Sequence, residues 1–191
     1  MPGDRRSNEP RDESGGGPAD PEQVARLIVL RRLDVAPRTR AQLARTLRER
    51  NVPDDVASRV LDRFEEVGLV DDRTFAALWV ESRMRTRGLS ARALRLELRT
   101  KGVTDDLIDE ALSALDPGDE MAAARAVARR KARSVSGLAH ATQVRRVAGA
   151  LARKGYGAGI TAQIVRETLT ASDAAGGDPA IRPPFSASDG A

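Results

Sequence analysis

The sequence predicts an all-α fold: three tandem three-helix repeats in an elongated, curved array, with disordered tails at both ends. Three observations predict it. Aromatic residues make up only 3% of the chain, so a core must come from Leu, Val, Ile and Ala, which suits helix packing better than a sheet. Helix-start and helix-stop signals recur throughout residues 21–170. One apolar pattern with its own stop residue occurs three times.

The signals are local and can be read in order. Asp20 followed by Pro21 is an N-cap with proline at the first helical position, opening a helix over Glu22 to Val35. Thr39 and Gln42 have the spacing of a capping box. Asp71 and Asp72 open a helix running to Arg87, Ser90 caps another, and Thr104 a further one. Asp116 and Pro117 repeat the Asp-Pro start, with Asp119 leading a helix to about Val135. Gly68, Gly88 and Gly102 stand where helices should stop.

The repeat emerges when three stretches are aligned: TRAQLARTLRERNV from Thr39, SARALRLELRTKGV from Ser90 and QVRRVAGALARKGY from Gln143. Leu43, Leu94 and Val147 correspond, as do Leu47, Leu98 and Leu151, and the i, i+4 spacing puts each pair on one helix face. The stretches end in Asn51, Gly102 and Gly155, each followed by an apolar residue. Asn and Gly readily adopt the left-handed conformation that ends a helix. A further helix follows each stop, with Val56, Leu107 and Ile160 in register, then Leu61, Leu112 and Val165. The period is roughly 50 residues, a unit too small for a stable core of its own, so the repeats are expected to stack. The expected domains are a tail over 1–20, repeats over 21–70, 71–115 and 116–170, and a tail over 171–191.

Composition excludes several functions. The chain has no cysteine and one histidine, His140, which removes disulfides, thiol catalysis and a His/Cys zinc site. No apolar run approaches the ~18 residues of a membrane span, and the first residues lack an apolar signal core. A cytoplasmic protein is expected. Glu65, Glu66, Asp71 and Asp72 cluster, but at helix ends, where acids serve as caps and dipole partners. With no Gly-rich phosphate loop and no metal set, neither an enzyme nor a cofactor is expected.

Charge is uneven although the net value is only +4. The stretches Met1–Pro21 and Ala171–Ala191 each carry −2, whereas Met121–Thr170 holds ten basic residues against one acid, Glu167. Such a block faces a polyanion or an acidic protein surface, or is simply solvated. Phe75, Trp79, Val80 and Met84 form a helical stripe that reads as core; a base-stacking platform needs several exposed aromatics.

The run DDRTFAALWVESRMRTRGLSARALRLELRTKGVTDDLIDEAL, Asp71 to Leu112, resembles the central signature of the RecX family. In that signature an Asp-initiated helix with a Phe-Ala pair leads to an Arg and then a Gly. The next helix ends Leu-x-x-Lys-Gly-Val or -Ile. The matching residues are Asp72, Phe75, Ala76, Arg83, Gly88, Leu98, Lys101, Gly102 and Val103. The resemblance covers Pro21 to Leu169 and leaves out the tails. It implies a three-helix-repeat array that lies along the groove of the RecA–DNA filament. It also implies inhibition of strand exchange, of ATP hydrolysis and of the co-protease activity that triggers the SOS response. A monomer is expected, with the RecA filament as partner and weak, sequence-independent binding to single- or double-stranded DNA.

The expected contact residues fall in two groups. Arg83 and Arg87 share a helix face four residues apart, and Lys101 ends the following helix; the family signature has an Arg at the first position and a Lys at the last. Arg129, Arg130, Lys131 and Arg133 lie on the first helix of the third repeat, and Arg145, Arg146, Arg153 and Lys154 on its second. These suit phosphate or acidic-surface contact. The competing reading is a helix-turn-helix nucleic-acid-binding protein, since short helices joined at a glycine turn are compatible with that motif. Against it, the basic charge is not focused on one recognition helix.

Overall fold

A computed structural model of the chain describes residues 20–176; the two tails expected at 1–20 and 171–191 lie largely outside these residues. Among the described residues there are nine helices and no strand: α1 (Pro21–Val35), α2 (Arg40–Glu49), α3 (Asp54–Glu66), α4 (Asp72–Arg87), α5 (Ala91–Thr100), α6 (Asp105–Ser113), α7 (Pro117–Arg133), α8 (His140–Arg153) and α9 (Ala158–Gly176). The helix α9 runs six residues past Thr170, the expected end of the third repeat.

Two compact units result, the first ending at Asp72 and the second beginning at Arg73. In the first, α1, α2 and α3 close over Ala25, Val29, Leu43, Leu47, Val60 and Leu61. The second holds two cores. One, from α4, α5 and α6, is built on Phe75, Val80, Leu94, Leu98 and Ile108. The other, from α7, α8 and α9, is built on Ala124, Ala128, Val147, Leu151, Ile164 and Leu169. Both apolar positions of the repeated pattern are fully buried each time: Leu43 and Leu47, Leu94 and Leu98, Val147 and Leu151.

The repeated stop is a backbone event. Asn51, Gly102 and Gly155 have φ of +58°, +82° and +88°. Each donates its N–H three residues back, to Arg48, Arg99 and Ala152. The next residue donates five back: Val52 to Leu47 at 3.1 Å, Val103 to Leu98 at 3.2 Å, Tyr156 to Leu151 at 3.3 Å. This is the Schellman arrangement, which satisfies helix-terminal carbonyls and turns the following apolar residue inward. Val52, Val103 and Tyr156 are all buried.

The starts follow the sequence in most places. Asp20 accepts from Glu22 N–H, Asp116 from Gly118 N–H, and Ser90 from Ala93 N–H. Thr39 and Gln42 form the complete capping box. Thr104 stands at the N-cap of α6, but its side chain makes no capping bond; Asp105 and Asp106 in the first turn supply negative charge to the helix end instead.

One device was not legible in the sequence. The N–H of Arg40, first residue of α2, donates to Asp72 Oδ1 at 2.9 Å. The N–H of Ala91, first residue of α5, donates to Glu120 Oε1 at 3.0 Å. In both cases a carboxylate from a residue 29 or 32 positions later satisfies an orphan donor at a helix start. Burial pushes the Asp72 carboxyl above its ordinary range, partly offset by the Arg40 N–H.

The third repeat departs from this pattern. Helix α8 starts at His140, four residues earlier than its register with α2 and α5 predicts, and its N-cap is Ala139 with no side-chain bond. Gln143, which stands where Thr39 and Ser90 cap, turns its side-chain amide back to the carbonyls of Ser136 and Leu138. Without a hydroxyl at that position the helix gains another turn, and the corner that receives a later carboxylate in the first two repeats is absent.

The corner at Gly88–Ala91 ties α4 and α5 to the last three helices. Ser90 N–H donates to Lys154 O at 3.0 Å, and the buried Tyr156 hydroxyl donates to Gly88 O at 3.2 Å. Burial pushes the Tyr156 phenol from its ordinary 10 up to about 12. The protonated form is thus favoured by folding. Its stabilisation is complete below pH ~10 and is lost as pH rises through the folded value. Tyr156 is the sole tyrosine, so absorbance of the phenolate isolates it. The native chain should titrate near pH 12 and the urea-unfolded chain near 10. Equal titration in both states would contradict the buried hydrogen bond.

Candidate functional site

The expected contact residues all lie in the second unit, and the fold sorts them into five places. Arg83 and Lys101 converge on one ring. The Arg83 guanidinium carbon lies 4.0 Å from the Trp79 ring centroid and Lys101 Nζ 3.9 Å from it. Phe75 stacks on Trp79 with centroids 5.6 Å apart and planes 15° from parallel. Glu97 of α5 accepts from Trp79 Nε1 at 2.9 Å and lies 3.5 Å from Arg83 Nε.

This cluster pins α4 to α5. Phe75, Trp79 and Arg83 recur every four residues along one face of α4, and Glu97 and Lys101 do the same on α5. The Arg83 side chain is only 23% exposed and is already neutralised by Glu97. Its first role is therefore structural, through ring contact, ion pair and packing of its stem. The Trp79 ring is half-buried against this core, whereas Phe75, Val80 and Met84 of the same stripe are buried in it. Replacing Trp79 by Leu removes the ring and leaves Glu97 beside fewer donors. It should cost about 2–3 kcal/mol, read as a lower urea midpoint by circular dichroism. A change below ~0.5 kcal/mol would mean that the cluster is not holding the helices.

Arg87 stands apart, exposed at the last position of α4. The third-repeat cations divide between two grooves and an open face. Arg130 and Lys131 of α7 meet Arg153 and Lys154 at the end of α8, around a groove of about 290 Å³ that Val127 and Ser134 also line. Arg129 and Arg133 turn the other way, into a groove of about 500 Å³ toward α9 with Arg125, Ser136, Gln143 and Glu167. Arg145 and Arg146 are exposed on α8 and line neither.

The grooves differ in electrostatics. In the larger one Arg125 Nε donates to Glu167 Oε2 at 3.0 Å, and this bond, helped by Gln163, holds the Glu167 carboxyl below its ordinary range. The smaller one presents four cations and no carboxylate. Elsewhere arginines are largely paired: Arg40 with Asp62 and Glu65, Arg59 with Asp55, Arg95 with Asp109, Arg99 with Asp105. Among the described residues, none of Arg129, Arg130, Lys131, Arg133, Arg145, Arg146, Arg153 or Lys154 has an ion-pair partner. Cations clustered without internal partners raise the local potential and suit an external anion.

Comparison with known proteins follows the same division of the helices. Three family models match, described as the first, second and third three-helix domains of RecX, over residues 25–64, 71–112 and 118–165. "Regulatory protein RecX" of Streptomyces coelicolor is 52% identical over 159 residues, covering 83% of this chain and 85% of that protein. The chain belongs to the RecX family. The RecX regulatory protein of Thermobifida fusca is 49% identical over 169 residues, covering 87% of this chain and 91% of its own. The crystal structure of RecX from Lactobacillus salivarius superposes with a TM-score of 0.70 at 22% identity, covering 80% of this chain and 99% of that one. A second crystal structure of a RecX regulatory protein gives 0.68 at 25% identity.

For a RecX-family chain, three features went unseen in the sequence: Trp79 and Glu97 as the setting of Arg83 and Lys101, the Asp72 and Glu120 carboxylates at helix starts, and Ser134 in the smaller groove. The spacing of Phe75, Trp79 and Arg83 was visible; the partners on α5 were not. Among the described residues, no helix is long and apolar enough to cross a membrane, and no group of three His, Cys, Asp or Glu side chains could hold a metal ion.

Proposed function

We propose that this protein restrains RecA recombinase by occupying the RecA–DNA filament, and so limits recombination, DNA repair and the SOS response in the cytoplasm. It acts as a monomer without chemistry of its own. Membership of a family of regulatory proteins supports the regulatory part, and the signature around Arg83 and Lys101 supports RecA as the target. The observation that carries the binding mode is the groove of Arg130, Lys131, Arg153 and Lys154. Such a groove recognises phosphates or acidic side chains by charge rather than base sequence. Contact with DNA outside the filament is accordingly weak and indifferent to sequence. Arg87, Arg129, Arg133, Arg145 and Arg146 add positive potential around it.

The test is RecA-driven ATP hydrolysis on single-stranded DNA, titrated with the full chain. Hydrolysis should fall in a saturable way as the chain is added, and the chain should co-sediment with the filaments. Undiminished hydrolysis without co-sedimentation would overturn the assignment of RecA as the target. A chain that instead bound free duplex DNA in a sequence-selective way would be a nucleic-acid-binding protein of the helix-turn-helix kind.

A further inference from the structure

We propose that Ser134 is a phosphorylation site for a protein kinase that selects basic substrates, and that a phosphoryl group there closes the Arg130–Lys131–Arg153–Lys154 groove to polyanions. Two independent observations converge on this residue. The first is the chain around it: Arg129, Arg130, Lys131 and Arg133 all lie within the five residues before Ser134, with no acid among them. Kinase substrate choice is set largely by such charge patterns. The second is its place in the fold. Ser134 is the C-cap of α7, exposed, and lines the smaller groove between two pairs of cations from different helices.

The hydroxyl is presented rather than used. Its one bond is local, donated to Lys131 O at 2.8 Å, and the helix end is also satisfied by the Ser134 N–H. Residues Ser134 to Leu138 form turns between α7 and α8, the kind of short exposed connector that opens at low cost for an enzyme to grip. Val135 is buried and anchors this connector, so gripping it requires a local opening of the last turn of α7.

The transfer balances without any redox change. The γ-phosphoryl of ATP moves to Ser134: an Oγ–P bond forms, the bridging P–O bond to ADP breaks, and the hydroxyl proton passes to the kinase's general-base carboxylate. The product carries about −1.5 to −2 charge and three strong acceptor oxygens. At the C-terminus of a helix that charge opposes the dipole. The four neighbouring cations outweigh it, forming charge-assisted hydrogen bonds of the kind Arg makes with phosphate. An internal anion then occupies the groove in place of an external one, and about half of its positive charge is cancelled.

This rests on the reading of the groove as a polyanion site. Full-length chain, Ser134→Ala and Ser136→Ala are incubated with a basic-substrate-directed kinase catalytic domain and ATP, and phosphoserines are mapped by mass spectrometry. Binding of fluorescein-labelled oligo(dT) is then followed by anisotropy across a salt series, before and after the reaction. The expected result is one phosphoryl group at Ser134, absent from Ser134→Ala and retained in Ser136→Ala. Oligo(dT) affinity should fall roughly tenfold. The slope of log affinity against log salt should flatten by about 1.4, because two fewer phosphates of the single strand are neutralised. Binding by the unmodified chain with no phosphoryl group at Ser134, or with one at Ser136 alone, overturns the site while leaving the groove reading intact. Phosphorylation at Ser134 with unchanged binding overturns the switch. No binding by the unmodified chain overturns the groove reading and the switch with it.

Discussion

Gly155→Ala should unfold at a temperature about 10 °C below that of the parent chain, a loss of about 3 kcal/mol. Two costs add. The residue has φ +88°, where a Cβ costs about 1 kcal/mol. An added Cβ would also stand 2.6 Å from Ser90 Oγ, 2.8 Å from Ala93 Cβ and 3.2 Å from Ala93 N. The last is backbone and cannot swing aside, so overpacking adds about 2 kcal/mol. Gly68→Ala separates the two costs: its φ is +71°, but nothing lies within 4 Å of the new methyl, so only the first cost of about 1 kcal/mol remains. Thermal melts of both variants, followed by far-ultraviolet circular dichroism, make the comparison. If Gly155→Ala lost no more than Gly68→Ala, the corner at Ser90 would be looser than its hydrogen bonds indicate.

That corner also bears on binding. Lys154 precedes Gly155 and gives its carbonyl to Ser90 N–H, so the turn that aims the groove's last cation is clamped by α5. A methyl group at Gly155 forces this clamp apart. Affinity for polyanions should then fall in Gly155→Ala even where the helices remain formed.

The contrast between what the sequence revealed and what it concealed has a physical basis. The stops at Asn51, Gly102 and Gly155 were legible because they depend on one backbone angle and an i, i+4 pattern within a single helix. The roles of Asp72 and Glu120 were hidden because an acid in a first helical turn already has a sufficient local reason to be there. Their bonds to Arg40 and Ala91 N–H cross 32 and 29 residues, and no period marks such a pairing. Trp79 shows the same boundary: its stack with Phe75 follows from helix spacing, but its bond to Glu97 needs the angle between α4 and α5. The early start of α8 was missed because the aligned repeat set its register, while Gln143 in place of Thr or Ser removed the cap that would have enforced it.

The basic block was the plainest charge signal, and its division was invisible. Arg129 and Arg130 are neighbours in sequence, but successive residues on a helix point about 100° apart, so one enters each groove. The division yields a sharper expectation than the block alone. Reversing Arg130, Lys131, Arg153 and Lys154 to Glu together should lower affinity for single-stranded DNA and for the RecA filament by at least about 100-fold. The salt dependence should flatten by nearly 3 log units per log unit, about 0.7 for each phosphate no longer neutralised. Reversing Arg145 and Arg146, exposed but outside both grooves, should cost less than about tenfold through the weakened general field. Glu in the last turn of α7 opposes the helix dipole, so a parallel set with Gln removes the charges without that penalty. It should keep the parent melting temperature within a few degrees while flattening the salt dependence to a similar extent, because the same four phosphates go unneutralised. Equal loss from the Arg145/Arg146 pair and the four groove residues would show that the surface acts as a diffuse positive field, with the groove conferring nothing of its own.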